Sequence, residues 1–237
     1  MISVCITTFN GQNYIKQQLE SVLCQLDFSD EVVVSDDGST DNTIAIVNAM
    51  HDARVKIIVG GNRLGIVKNF ERALMNAKGN IIFLCDQDDV WLPNKVKQSV
   101  SSLREYMLVV TDCKVVDEHL HEVYPSFFAQ RKSASGVCRN LYKNSYLGCC
   151  MAFRKELLSY ALPMPVNVPM HDMWLGLLAD IYGDVKFMPE ALSLYRRHQE
   201  NFSPTASKST FGLLKMLQFR IVLTILLFSR IIRNACK

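Results

Sequence analysis

Ile81-Ile82-Phe83-Leu84-Cys85-Asp86-Gln87-Asp88-Asp89-Val90-Trp91-Leu92-Pro93-Asn94-Lys95 is the stretch on which the reading of this chain turns. The apolar run 81–85 reads as a strand buried on both faces, the pattern of a parallel sheet covered by helices on each side. Three carboxylates then fall within four residues. Like charges held that close repel, so folding them together is unfavourable unless a cation offsets the repulsion. Carboxylates suit a hard ion such as Mg²⁺ or Mn²⁺, and a site with open positions suits an ion shared with substrate phosphates. The competing reading is a capped turn, in which Asp89 caps the helix that follows.

The same alternation extends outward. Strands are expected at 2–8, 31–35 and 55–59, and helices over 14–25, 41–50, 66–77 and 95–106, with Thr40 or Asp41 capping the second helix. Short strands follow at 108–111 and 115–116. The second half is less regular: a loop-like stretch at 125–135, a helix at 155–161, a proline-rich link (Pro163, Pro165, Pro169) and a helix at 173–182. Strand–helix alternation implies right-handed crossovers on a parallel sheet. Ligands of such sheets sit beyond the carboxyl ends of the strands. Here those junctions read Thr7-Thr8-Phe9-Asn10-Gly11, Asp36-Asp37-Gly38-Ser39, Gly60-Gly61-Asn62-Arg63-Leu64-Gly65 and Asp86-Gln87-Asp88-Asp89, a polar and strongly acidic rim.

Three further groups bear on chemistry. A carboxylate of Asp36-Asp37 can accept from a ribose or a base N–H, or the pair can form a plain Asx turn with Gly38 at positive φ. Asp172, after His171, opens an apolar helix and reads either as an N-terminal cap or as a general base. In Tyr195-Arg196-Arg197-His198 the arginines and histidine can meet a diphosphate, or His198 a metal; the plain alternative is a solvated loop. His119 and His121 lack the companions of a zinc site. Neither a P-loop nor a G-x-S-x-G elbow occurs.

These residues resemble a known family. Ser3-Val4-Cys5-Ile6-Thr7-Thr8-Phe9-Asn10-Gly11, Val34-Ser35-Asp36-Asp37-Gly38-Ser39-Thr40-Asp41 and the Phe83–Lys95 stretch, in that order and spacing, look like family 2 glycosyltransferases of the GT-A fold. The resemblance covers roughly residues 1–203. With His171-Asp172-Met173-Trp174 and Tyr195-Arg196-Arg197-His198 it is most similar to the rhamnosyltransferase-like branch that builds bacterial surface polysaccharides.

The resemblance implies an α/β protein with a Rossmann-like, mainly parallel sheet flanked by helices. It implies a GT-A domain over 1–207, with a nucleotide-sugar half at 1–115 and an acceptor half at 116–207. The implied activity is inverting transfer from a nucleotide-diphospho-sugar to a glycan or lipid-linked saccharide, dependent on Mg²⁺ or Mn²⁺. A rhamnosyl donor is the first reading. A galactosyl or glucosyl donor, or a non-catalytic nucleotide-sugar-binding relative, is the alternative. Thr8, Asn10, Asp36, Asp37, Asn62, Lys68, Asn69, Asp86, Gln87 and Arg197 would line the donor site, with Asp37 on the base. Asp88 and His198 would hold the metal, and Gly148 and Cys149 would help form the acceptor wall. Asp172 would be the base, although the family's usual Glu-Asp is His171-Asp172 here.

Composition bounds the alternatives. The chain has 237 residues, 49% hydrophobic and 21% charged, which excludes a disordered or fibrous protein. The net charge of +3 does not point to nucleic acid. It splits into 20 basic and 23 acidic residues over 1–200, and six basic and none acidic over 201–237. A receiver domain would be about half as long, with its acidic pair where Thr7-Thr8 stands. A nucleotidyltransferase would open with a basic glycine-rich loop. Eight cysteines without a C-x-x-C pair read as mostly buried thiols in a reducing compartment, and Met1 runs straight into a strand without a leader, so a cytoplasmic location is expected. The segment 208–237 reads as a basic amphipathic helix, too short in its apolar core to span a bilayer. Two uses are open: lying on the inner face of the membrane with Lys215, Arg220, Arg230 and Arg233 at anionic headgroups, or packing on protein.

Overall fold

The computed structural model describes residues 1–61, 63–198 and 213–236. Nine strands form one sheet: β1 (Ile2–Thr8), β2 (Glu31–Asp36), β3 (Val55–Val59), β4 (Ile81–Asp86), β5 (Val90–Trp91), β6 (Leu108–Val116), β7 (Glu122–Tyr124), β8 (Met151–Arg154) and β9 (Val185–Arg196). The helices are α1 (Ile15–Leu23), α2 (Thr43–Ala49), α3 (Ile66–Asn76), α4 (Lys95–Ser102), α5 (Phe127–Arg131), α6 (Val137–Tyr142), α7 (Leu157–Ala161), α8 (His171–Tyr182) and α9 (Leu213–Ala235).

The order across the sheet is β3-β2-β1-β4-β8-β6-β9-β5, with β7 on β6. The first four are mutually parallel, β6 and β9 run the same way, and β5, β7 and β8 run against them. The sheet is mixed and mainly parallel, as expected. Successive side chains of a strand point to opposite faces. Thus Cys5, Val33, Ile82 and Leu84 enter one core with Phe70 and Trp174, while Val4, Ile6, Val32, Val34 and Phe83 enter a second with Ile15, Leu19 and Trp91. Both faces are covered, which is why these strands read as unbroken apolar runs.

Register places the site. Thr8 lies opposite Asp36 and Thr7 opposite Asp86, so the carboxyl ends of β1, β2 and β4 finish level. The first half follows the sequence reading closely, and the second departs from it. The two short strands expected at 108–111 and 115–116 are one strand, β6, whose pairing with β9 shifts around Asp112. There the Asp112 carboxylate leaves the ladder to accept from Ser126 Oγ and Phe128 N, fixing the start of α5 inside the stretch read as a loop. The long strand β9 was not expected at all. Pro189 interrupts its pattern, and a proline cannot donate to a ladder. The structure seats Pro189 and Glu190, both exposed, in the register shift between Met188 and Ala191, and pairing resumes beyond them.

Five of the eight cysteines are buried, and all eight are free thiols; Cys24, Cys138 and Cys236 are exposed.

Candidate active site

A cleft of about 500 Å³ opens at the carboxyl ends of β1, β2 and β4. Of the residues expected there, Thr8, Asp37, Asn69, Asp86, Gln87 and Asp88 line it. Gln87 locks the rim: its Oε1 accepts from Thr8 Oγ1 at 2.6 Å and Phe9 N at 2.9 Å, and its Nε2 donates to Phe9 O at 3.1 Å. Gly11 is required beneath this lock, because a Cβ there would lie 2.3 Å from Gln87 Oε1. The Asp37 carboxylate accepts from Leu64 N at 2.7 Å and Gly65 N at 2.9 Å, and so ties the β2 turn to the loop before α3.

Four expected donor residues are not among those that line this cleft. Asp36 is fully buried, and its carboxylate accepts from Gly38 N, Ser39 N and Ser39 Oγ; it shapes its own turn, the Asx alternative, and is not part of the cleft wall. Asn10 is exposed at φ 50° and bridges turns through Ser39 Oγ and Thr40 N. Lys68 Nζ pairs with Glu71 and donates to Met164 O, bracing α3 against the proline-rich link. Arg197 is half-buried; its N–H donates to Val116 O at 2.8 Å and its Nη1, at 3.4 Å, to the Oη of Tyr195, a residue that lines the cleft. Asn62 lies outside the described residues.

Sequence reasoning missed Arg63, whose guanidinium carbon lies 3.9 Å from the Phe9 ring centroid, and Tyr195; Arg63, Phe9 and Tyr195 all line the cleft. A basic residue inside a glycine-rich junction was the available signal for Arg63. The solvated-loop reading of 195–198 is also corrected. Tyr195 and Arg196 end β9 and are buried, and His198 Nε2 lies 2.8 Å from Asp88 Oδ2 while its ring stacks on Tyr14. Asp89 does not cap α4, which begins after Asn94; it is buried, and Oδ1 accepts from Arg196 N at 3.0 Å.

Asp172 stands in the first turn of α8, 5% exposed, with Oδ1 accepting from Met173 N at 2.6 Å. Burial pushes its carboxyl up to about 6, overriding the hydrogen bonds that favour the charged form. Burial, and then the charges of Asp88 and Asp172, push Asp86 up to about 8. Those three carboxyls therefore form one electrostatic cluster. Neighbouring His171 is buried, stacks on Phe70 at 3.9 Å between centroids, and has no hydrogen-bond partner on either nitrogen among the described residues; burial holds it down to about 3. Gly148, in the short turn Gly148–Cys150, lies against His171 and Asp172.

The donor set fits a divalent cation. Asp88 Oδ2 and His198 Nε2 lie 2.8 Å apart, close enough to serve one ion, and the Asp86 carboxyl is raised by burial and by the neighbouring Asp88 and Asp172 carboxylates. Asp86, Asp89 and Cys149 also offer ligand atoms within 4.8 Å of one another.

The model of "Glycosyl transferase family 2" matches residues 3–160. The Escherichia coli UDP-Glc:alpha-D-GlcNAc-diphosphoundecaprenol beta-1,3-glucosyltransferase WfgD is 26% identical over 76% of this chain and 70% of its own length. The Shigella flexneri dTDP-rhamnosyl transferase RfbG is 26% identical over 83% of this chain and 72% of its own. Among solved structures, S. aureus TarS 1–349 in complex with UDP-GlcNAc superposes with a TM-score of 0.74 at 20% identity, over 95% of this chain and 66% of that one. Glucosyl-3-phosphoglycerate synthase from Mycobacterium tuberculosis, in complex with Mn²⁺, UDP and phosphoglyceric acid, gives 0.61 at 20% identity, over 97% and 78%. At such identities the superpositions speak for the fold, which is that of the GT-A glycosyltransferases.

Proposed function

The chain belongs to glycosyl transferase family 2, and from that premise we propose that it transfers a sugar, with inversion, from a nucleotide-diphospho-sugar to a glycan or lipid-linked saccharide of a bacterial surface polysaccharide. The observation that carries this reading is the pair of carboxylates Asp86 and Asp88 in a cleft lined by Thr8, Asp37 and Asn69, with Asp172 near enough to raise Asp86.

Each side chain then has a task. Thr8, Asp37, Asn69 and Asp86 hold the nucleoside and sugar, with Phe9 and Arg63 forming the cleft's outer wall. Asp88 and His198 hold Mg²⁺ or Mn²⁺, which when bound neutralises charge on the departing nucleoside diphosphate. Asp172 accepts the proton of the acceptor hydroxyl as that oxygen attacks the anomeric carbon. One displacement inverts the configuration. A carboxyl at about 6 is an effective base near neutral pH, charged yet basic enough to take the proton. Gly148 borders the base on the side given to the acceptor, and Cys149 lies buried beside Asp86 and Asp89.

The rhamnosyl donor remains the first reading, supported by the motif likeness and by the name of the Shigella relative. The name of the Escherichia coli relative supports the glucosyl alternative equally at the level of identity. Among the described residues no helix is long and apolar enough to cross a membrane. For contact with a lipid-linked acceptor, α9, with its exposed apolar face, is the element suited to peripheral attachment.

A thermal-shift screen of dTDP-rhamnose, UDP-glucose, UDP-galactose and GDP-mannose with Mn²⁺ tests the proposal, because a ligand specific to the folded state raises the melting temperature. One donor should stand out and should then support transfer. If none shifts the transition in the presence of metal, the donor reading fails.

A further inference from the structure

Arg196 closes β9 at 4% exposure, and three other parts of the chain meet on it. Its N–H donates to Asp89 Oδ1 at 3.0 Å and its Nε to Asp88 O at 2.7 Å, so both ends of the residue grip the turn that follows β4. Nη1 donates to Glu118 O at 2.5 Å, in the turn after β6, and Nη2 to Gln17 Oε1 at 2.6 Å, on α1. The guanidinium carbon lies 4.9 Å from the centroid of the Tyr14 ring, and His198 stacks on the same ring at 4.8 Å.

We propose that Arg196 is a positioning residue for the metal centre, setting the spacing of Asp88 and His198 without itself binding the metal. The inference rests on the reading of Asp88 and His198 as metal ligands. Two links carry it. Holding the Asp88 carbonyl fixes the peptide from which the carboxylate hangs, and so aims Oδ2. Holding Tyr14 fixes the plate against which the His198 ring lies, and so aims Nε2. The two ligands come from β4 and from the end of β9, 110 residues apart in sequence. Arg196 is the side chain that reaches the Asp88 peptide and the Tyr14 ring together. The planar fork of arginine serves acceptors in three directions at once; a lysine ammonium on a flexible stem keeps the charge and loses that geometry. Supporting groups of this kind alter metal affinity by about 10–100-fold when removed.

The experiment is Mn²⁺ binding to the full chain, followed by loss of the free-ion EPR signal, for wild type, R196K, Q17L and D88N, with melting temperatures measured alongside. R196K is expected to bind Mn²⁺ at least about tenfold more weakly, with saturation restored at high Mn²⁺. Q17L, which removes one of the three side-chain acceptors, is expected to show a smaller loss in the same direction while staying folded, and it decides the question if R196K does not fold. Wild-type affinity in folded R196K, or in Q17L where R196K is unfolded, overturns the positioning role. D88N separates the two layers of the argument. If it binds Mn²⁺ as tightly as wild type, the metal assignment itself falls; if it loses binding while R196K keeps it, only the role of Arg196 falls.

Discussion

His198 Nε2 sits 2.8 Å from Asp88 Oδ2, joining the end of β9 to the turn after β4 across 110 residues. The imidazole is held by stacking on Tyr14, so the contact comes from two fixed side chains. Two such donors suit one divalent ion. Chelation with EDTA is expected to abolish transfer, and Mn²⁺ or Mg²⁺ to restore it. H198A should raise the Mn²⁺ concentration needed for half-maximal rate, and D88N should abolish metal response. Full activity in chelator would remove both residues from the metal site.

Asp172 gives a kinetic prediction. D172N should lower transfer by at least about 10²-fold while donor binding, read by thermal shift, survives. Because burial raises the carboxyl to about 6, and the base acts when deprotonated, kcat/KM should fall about tenfold per unit below pH 6 and level off above it. An acid limb that instead breaks near pH 4, the ordinary carboxylate range, would show that burial does not raise the working base, and its loss in D172N would decide whether that base is Asp172.

The first half of the fold was legible because its strands are buried on both faces and end in polar, glycine-bearing junctions. Those junctions put Asp86, Asp88 and Asp37 at a strand-end rim, and the structure lines the cleft with them. Asp36 and Asp37 look alike in sequence, yet the Asp36 carboxylate turns back onto Gly38 and Ser39, while Asp37 reaches the loop before α3. Adjacent residues on a strand end point in opposite directions, and sequence does not say which faces the cleft. Tyr195 and Arg196 were hidden for a different reason. Their roles depend on β9, and Pro189 conceals β9 by breaking the strand pattern. The cation–π contact of Arg63 with Phe9 joins two loops 54 residues apart, which local pattern cannot report.

Gly148 leads to a steric prediction. A Cβ there would lie 2.8 Å from His171 Nε2 and 3.5 Å from Asp172 Cβ. Both neighbours belong to the rigid first turn of α8, so G148A should displace the base by a few tenths of an ångström or more. Misplacement of a reacting group by about 1 Å costs on the order of 10²-fold in rate. Loss of kcat is therefore expected to exceed any loss in donor affinity. Wild-type kcat in G148A would mean that the turn yields instead of the helix.

His171 and pH are linked with a definite sign. The unfolded imidazole takes a proton from about pH 6.5 downward, whereas the buried one stays neutral to about 3. The unfolded state thus binds more protons across that window, and the His171 contribution to stability is lost as pH falls. H171L removes this term, along with two buried nitrogens that have no partner. Its stability relative to wild type should rise as pH falls from 6.5 toward 3, by up to about 1.4 kcal/mol per unit. Asp172 acts in the opposite direction, since its raised pKa favours the folded state between about 6 and 4, but it is present in both chains and cancels from the difference. Denaturant midpoints at pH 7 and pH 5 provide the measurement; a constant gap would place His171 in contact with solvent.

On α9 the structure divides what the sequence left open, because the helix packs on the domain by one face and exposes a second apolar face. Leu223, Leu227 and Arg230 are buried, and Arg230 donates to the carbonyls of Tyr160, Leu162 and Pro163. Arg220 likewise donates to Leu141 and Tyr142 carbonyls. Arg220 and Arg230 are therefore docking residues, contrary to their expected place at lipid headgroups. Leu217, Ile221, Ile225, Phe228 and Ile232 recur at helical spacing, each at least 50% exposed, and make an apolar stripe on the other side. If that stripe meets the bilayer, I221E/I225E/F228E should abolish flotation with anionic liposomes and leave the melting temperature unchanged. R230A should do the reverse: leaving buried carbonyls without donors costs on the order of 2 kcal/mol or more, seen as a lower melting temperature. Flotation that survives the triple change would assign the stripe to a protein partner instead of lipid.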